Sequence, residues 1–135
     1  MAGKSLTAKQ THAKPDEWIS DVTKLLSQIR KWCEREDWEV TQPEKQVTEE
    51  LLGTYTVPLL RIRAPGGFLY VEPVARYVIG AEGRIDITSS LTMNRMLLVR
   101  QDGRWTLKTD SGVNWPEQWN RNAFVKLAGL LTQTT

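Results

Sequence analysis

Between Thr54 and Thr109 the chain is interrupted by turn-forming residues at short intervals, and no other feature narrows its possible folds as much. Ala64-Pro65-Gly66-Gly67, Gly80-Ala81-Glu82-Gly83, a loop near Thr92-Met93-Asn94 and Gln101-Asp102-Gly103 separate the segments TYTVPLLRIR, FLYVEPVARYVI, RIDITS, RMLLVR and RWTLKT. Short alternating runs rich in Val, Ile, Leu and aromatic residues, joined by such turns, predict an antiparallel meander. Asp102-Gly103 is the strongest hairpin signal, because that pair tolerates the positive φ angles of a type I′ turn. Pro58 and Pro73 each remove a ladder donor, which predicts edge positions or bulges there.

The turns also set which side chains share a face. A symmetric turn at Pro65-Gly66 pairs Arg63 with Phe68, Arg61 with Tyr70 and Leu59 with Glu72. The intervening pairs, Ile62 with Leu69 and Leu60 with Val71, are wholly apolar and belong in a core. In the Asp102-Gly103 hairpin, Arg100 pairs with Trp105, Leu98 with Leu107 and Met96 with Thr109. In RIDIT, Ile85 and Ile87 face in, while Arg84, Asp86 and Thr88 face out. The outward positions therefore assemble a candidate binding surface of Arg61, Arg63, Phe68, Tyr70, Arg84, Arg104 and Lys108. A stacking contact between Arg61 and Tyr70 is the expected local arrangement.

Two helices flank this region. Trp18, Ile19, Val22, Leu25, Leu26, Ile29, Trp32 and Cys33 recur at spacings of three, four and seven and form one apolar stripe. Pro15 and Asp16 open that helix, with Asp16 the expected cap. At the other end, Asn114 as cap and Pro116 in the first turn lead through Trp119 to Phe124, Leu127, Ala128 and Leu131. Residues 38–53 fit two patterns. Thr41-Gln42-Pro43-Glu44 resembles a capping box, which favours a strand followed by a short helix ending at Gly53. The rival is a strand over Trp38 to Thr41, a turn at Pro43-Glu44 and a second strand from Val47. The expected architecture is α+β: an amphipathic helix, a five- or six-stranded antiparallel meander and a C-terminal helix packed on the sheet.

Composition bounds the function. With 135 residues, 40% hydrophobic and 25% charged, the chain suits one domain over 16–135, preceded by a polar basic arm over 1–15. No apolar run approaches the ~20 residues needed to cross a bilayer, so no membrane role is expected and a cytoplasmic setting is. Cys33 is the single cysteine and His12 the single histidine, so neither an internal disulfide nor a Cys/His zinc site can form, and a Ser-His-Asp triad within the fold is not expected. Net charge is +2, distributed as +3 over residues 1–15, −5 over 16–50 and +4 over 51–135. That asymmetry is one source of electrostatic partner choice.

No cofactor is implied. Glu72, Glu82 and Asp86 lie on or beside adjacent strands, and clustered carboxylates can hold Mg²⁺ for phosphodiester cleavage. However, threonine follows where a PD-(D/E)xK nuclease would carry lysine (Asp86-Ile87-Thr88). The expected function is a non-catalytic domain that binds another protein or a second copy of itself. The alternative is a nucleic-acid accessory using the arginine–aromatic face, and a divalent-metal nuclease ranks third.

Overall fold

The computed structural model describes residues 15–76, 82–91 and 95–132. Helix α1 (Pro15–Arg35) is followed by strands β1 (Glu39–Thr41), β2 (Glu44–Glu49), β3 (Gly53–Pro58), β4 (Leu60–Ala64), β5 (Gly67–Ala75), β6 (Gly83–Ser89), β7 (Arg95–Gln101) and β8 (Arg104–Thr109), and then helix α2 (Arg121–Leu131). One antiparallel sheet has the order β1-β4-β5-β6-β7-β8, and β2 with β3 forms a separate two-stranded ribbon. The chain is thus α+β, as the punctuation predicts. The basic arm with Lys4, Lys9, Lys14 and His12, the turn residues Gly80-Ala81 and the loop at Thr92-Met93-Asn94 lie outside the described residues.

Both hairpin registers match the expected ones. Arg61 pairs with Tyr70, Ile62 with Leu69 and Arg63 with Phe68 across a two-residue turn. Arg100 pairs with Trp105 and Leu98 with Leu107. Asp102 and Gly103 adopt φ of 52° and 73°, the left-handed pair a type I′ turn requires. The β5–β6 ladder shifts between Pro73 and Ala75, so the proline falls at a bulge, where its missing N–H costs no ladder bond.

Residues 44–58 overturn the preferred helix and take the rival reading. Glu44 pairs with Pro58 through to Glu49 with Gly53, and Gly53 adopts φ of 73° beside the tip rather than ending a helix. Pro43 marks the corner between β1 and β2, and its carbonyl accepts from Leu59 N–H at 2.9 Å where the opposite strand also breaks. TYTVPLLRIR is therefore two strands, β3 and β4, and not one. Val47, Tyr55 and Val57 point into the core. The Tyr55 hydroxyl donates to the Glu49 carboxylate, which also accepts from Arg76 N–H at 3.0 Å and ties the ribbon to β5.

Two helix starts also differ from expectation. Helix α1 begins at Pro15, so Asp16 lies in its first turn, where its charge complements the helix dipole, rather than at the cap. Helix α2 begins at Arg121 and is capped by Asn120, whose side chain accepts from Ala123 N–H at 2.9 Å. Asn114 instead forms a β-bridge with Lys108, which keeps residues 113–115 extended along β8.

Both helices pack on one face of the large sheet. Trp18, Val22, Leu25, Leu26, Ile29 and Cys33 from α1, with Phe124, Leu127, Ala128 and Leu131 from α2, join Leu60, Ile62, Leu69, Val71, Ile85, Ile87, Leu98 and Leu107 in a single apolar cluster. Trp32 contacts Trp119 and Phe124 at centroid distances of 5.4 and 5.8 Å, which closes the seam between the helices. Burial pushes the Cys33 thiol up to about 12, with Glu34 and Glu36 adding to the effect. No described helix is long and apolar enough to cross a membrane.

Candidate functional site

The consequence for the outward residues is direct: both helices pack against the other face. Four strands carry the predicted residues onto the outward face, with Arg61 and Arg63 on β4, Phe68 and Tyr70 on β5, Arg84 on β6 and Arg104 and Lys108 on β8. The ladders align them in rows across the sheet. One runs Thr41, Arg61, Tyr70, Thr88, Arg95, and the next runs Glu72, Asp86, Leu97, Lys108. A third runs Arg84, Val99, Thr106.

The expected partner of Arg61 is corrected by one diagonal. Its guanidinium lies over the Phe68 ring, 4.3 Å from the centroid, rather than on Tyr70 directly opposite. Register fixes which residues are opposite, but a long arginine reaches the diagonal neighbour as readily as the direct one. Arg61 and Arg63 are exposed, and Phe68 and Tyr70 are half-buried. An exposed cation–π contact contributes roughly 0.5–1 kcal/mol, enough to hold the guanidinium flat without withdrawing it from a partner.

The centre of the face is neutralised from within. Asp86 accepts from Arg84 through a bidentate pair (Nε–Oδ1 2.7 Å, Nη2–Oδ2 3.1 Å) and from Arg95 Nη1 at 3.3 Å. Arg95 also donates to Asp110 at 2.7 Å, and Asp110 and then Asp86 push the guanidinium's already high pKa further up. The Asp86 side chain is only 12% accessible, so this is the one carboxylate on the face substantially withdrawn from water. Beside it, Leu97 and Val99 are 8% exposed yet stand apart from the core cluster. Their cross-strand neighbours are Asp86, Lys108, Arg84 and Thr106.

Alternation placed Asp86 on this face, but its role as a clamp was missed. The signal was present, because residues two apart on a strand share a face and Arg84-Ile85-Asp86 places a fork two residues from a carboxylate. Arg61, Arg63, Arg104 and Lys108 have no ion pair among the described residues. The free cations therefore lie at two ends of the face, with a neutralised middle.

The three carboxylates considered for Mg²⁺ do not converge. Glu72 pairs with Lys45 at 2.9 Å, Asp86 is held by its two arginines, and Glu82 accepts from Gly103 N–H at 3.1 Å. Among the described residues no group of three His, Cys, Asp or Glu is placed to hold a metal ion. Comparison with known proteins adds no further constraint: no family model, no curated protein and no solved structure matches this chain.

Proposed function

We propose that this chain is a non-catalytic, cytoplasmic protein-binding domain that presents the arginine-bearing face of its six-stranded sheet to an acidic partner surface. The observation that carries the reading is the placement of both helices on one side, with exposed Arg61, Arg63 and Arg104 and the half-buried rings of Phe68 and Tyr70 on the other. A protein partner suits a surface where apolar area and discrete charges alternate. A polyanion suits it less well. Asp86, Glu72 and Asp110 interrupt the cationic rows, and a phosphate within ~4 Å of a carboxylate is repelled by ~1 kcal/mol even in water.

The test uses the full chain and its Arg61→Glu/Arg63→Glu variant as paired baits for affinity capture, with labelled single- and double-stranded DNA and RNA titrated in parallel. The expected result is a captured protein retained by the parent and lost from the variant, without nucleic-acid binding at near-physiological salt. Identical captured sets would reject the face as the interface. Nucleic-acid binding that survives such salt and falls on Arg61→Ala would replace this reading with the nucleic-acid one. Concentration-dependent mass that collapses in the variant would make the partner a second copy.

A further inference from the structure

Strand β8 is the last strand of the large sheet, and half of its outer edge is already in use. Residues on an antiparallel strand point their N–H and C=O groups alternately to the two sides. Leu107 C=O accepts from Trp115 N–H at 2.8 Å, and Thr109 N–H donates to Val113 C=O at 2.8 Å, so odd-numbered residues of β8 face outward. The 113–115 segment therefore behaves as a short added strand. It ends at Pro116, which has no N–H to continue the ladder.

The remaining edge is open. Trp105 N–H, Trp105 C=O and Leu107 N–H face outward and find no hydrogen-bond partner among the described residues. They border a cleft of about 540 Å³ lined by Gly103 to Leu107 on one side and Asn114 to Trp119 on the other, with Gln28 of α1 at its rim. At the opposite edge, β1 is only three residues long.

The geometry points to this cleft as a docking site for an extended acidic peptide that adds to β8 as an antiparallel strand. A peptide residue opposite Trp105 would exchange two main-chain hydrogen bonds with it, and its side chain would share the helix-side face of the sheet with that ring. There it meets the indoles of Trp105, Trp115 and Trp119, all partly buried against the core, which calls for an apolar side chain. The flanking peptide residues would point to the other face beside Arg104, which is exposed and has no ion pair, and near Lys108. They call for carboxylates. The required pattern is acid, apolar, acid.

Charge also disfavours two other occupants. The first fourteen residues carry three lysines and no acid, the same sign as Arg104, while Glu117 on the facing wall is paired with Lys126. A second β8 paired about Trp105 would set the two Arg104 side chains diagonal to one another. The site shares Arg104 and Lys108 with the outward face but rests on the main-chain edge of β8, so the N-methylation test can succeed or fail whatever Arg61 and Arg63 bind.

The probe is fluorescein-labelled Ac-Glu-Val-Glu-Val-Glu-NH₂, titrated with the full chain by anisotropy and by amide NMR. The expected result is binding that shifts the Trp105 and Leu107 amides and slows their hydrogen exchange. N-methylation of both valines, which removes the donor to Trp105 C=O whichever valine lies opposite it, is expected to weaken binding by about tenfold or more. N-methylation of the central glutamate, whose N–H would face away, is expected to leave it intact. Arg104→Glu should reverse the preference in favour of the Lys-Val-Lys-Val-Lys peptide. Should that variant fail to fold, the two methylated probes decide the matter on the parent chain. No binding, equal loss from both methylation patterns, or unchanged Trp105 and Leu107 amides would overturn the proposal.

Discussion

Gly83 offers a sharp test of how this core is built. It opens β6, it is buried, and a Cβ added there would lie 2.3 Å from Cζ3 of Trp18, 2.6 Å from Cη2 and 3.1 Å from Cε3. Carbon atoms are at ease near ~3.5–4.0 Å, so three ring atoms would have to retreat. The ring has little freedom to do so, because it is 1% exposed and packs on Trp105 with centroids 6.0 Å apart. Overpacking of this kind costs roughly 1–3 kcal/mol. The smaller unfolded-state entropy of alanine returns about 0.4–1 kcal/mol. Gly83→Ala is therefore expected to destabilise by ~1–2 kcal/mol, a fall of about 1 M in the urea midpoint at ordinary slopes. Trp18→Phe trims the indole and should cost a similar amount alone by leaving a cavity. Combined, the two should cost less than their sum, with a coupling of about 1 kcal/mol or more. A midpoint unchanged by Gly83→Ala, or strict additivity in the double variant, would refute the close approach of strand and ring.

Three further outcomes are expected. Asn120→Ala removes the side-chain acceptor for Ala123 N–H and should lower stability by about 1 kcal/mol in urea titration. Asp86→Asn leaves the half-buried Arg84 without its carboxylate and should cost roughly 1–3 kcal/mol, with thermal midpoints of parent and variant both indifferent to Mg²⁺. Cys33 titrates from 9.0 in the unfolded chain to about 12 when folded, and Tyr55 is raised in the same direction by burial and then by Glu49. The unfolded state therefore binds fewer protons in that window, so stability held below pH 9 should fall as pH rises toward 12, by up to ~1.4 kcal/mol per pH unit for each group. Urea midpoints across that range check the sign, and Cys33→Ala should flatten the slope.

What could be read before the structure depended on how local the deciding interaction was. The α1 stripe and both hairpin registers follow from periodicity and from turns whose residues demand one geometry, so Arg61 opposite Tyr70 and Arg100 opposite Trp105 were derivable. Residues 41–53 were not, because Thr41-Gln42-Pro43-Glu44 has the composition of a helix start. The ribbon is secured instead by distant partners: Arg76 N–H on Glu49, and Lys45 on Glu72. Asn114 failed as a cap for the same reason, since a bridge to Lys108 outcompeted a local turn. Gly83 looked like turn chemistry and turned out to be an accommodation for Trp18, a residue far away in sequence. The members of the open face were legible from alternation. Its exposure was not, because nothing local says on which side α1 comes to rest.

The partners of α1 carry a consequence for synthesis. Trp18 packs on Trp105, Asp21 meets Arg100 at 3.4 Å, and Trp32 packs on Trp119 and Phe124, so the first helix completes its contacts only with the β7–β8 hairpin and α2. A ribosome adding ~5–20 residues per second needs roughly 5–20 seconds to cover the ~90 residues between those rings. Throughout that interval the Trp18–Cys33 stripe has no finished sheet to lie against. Docking of the first helix is therefore deferred until the residues of β8 and α2 have been added, however early the helix itself forms.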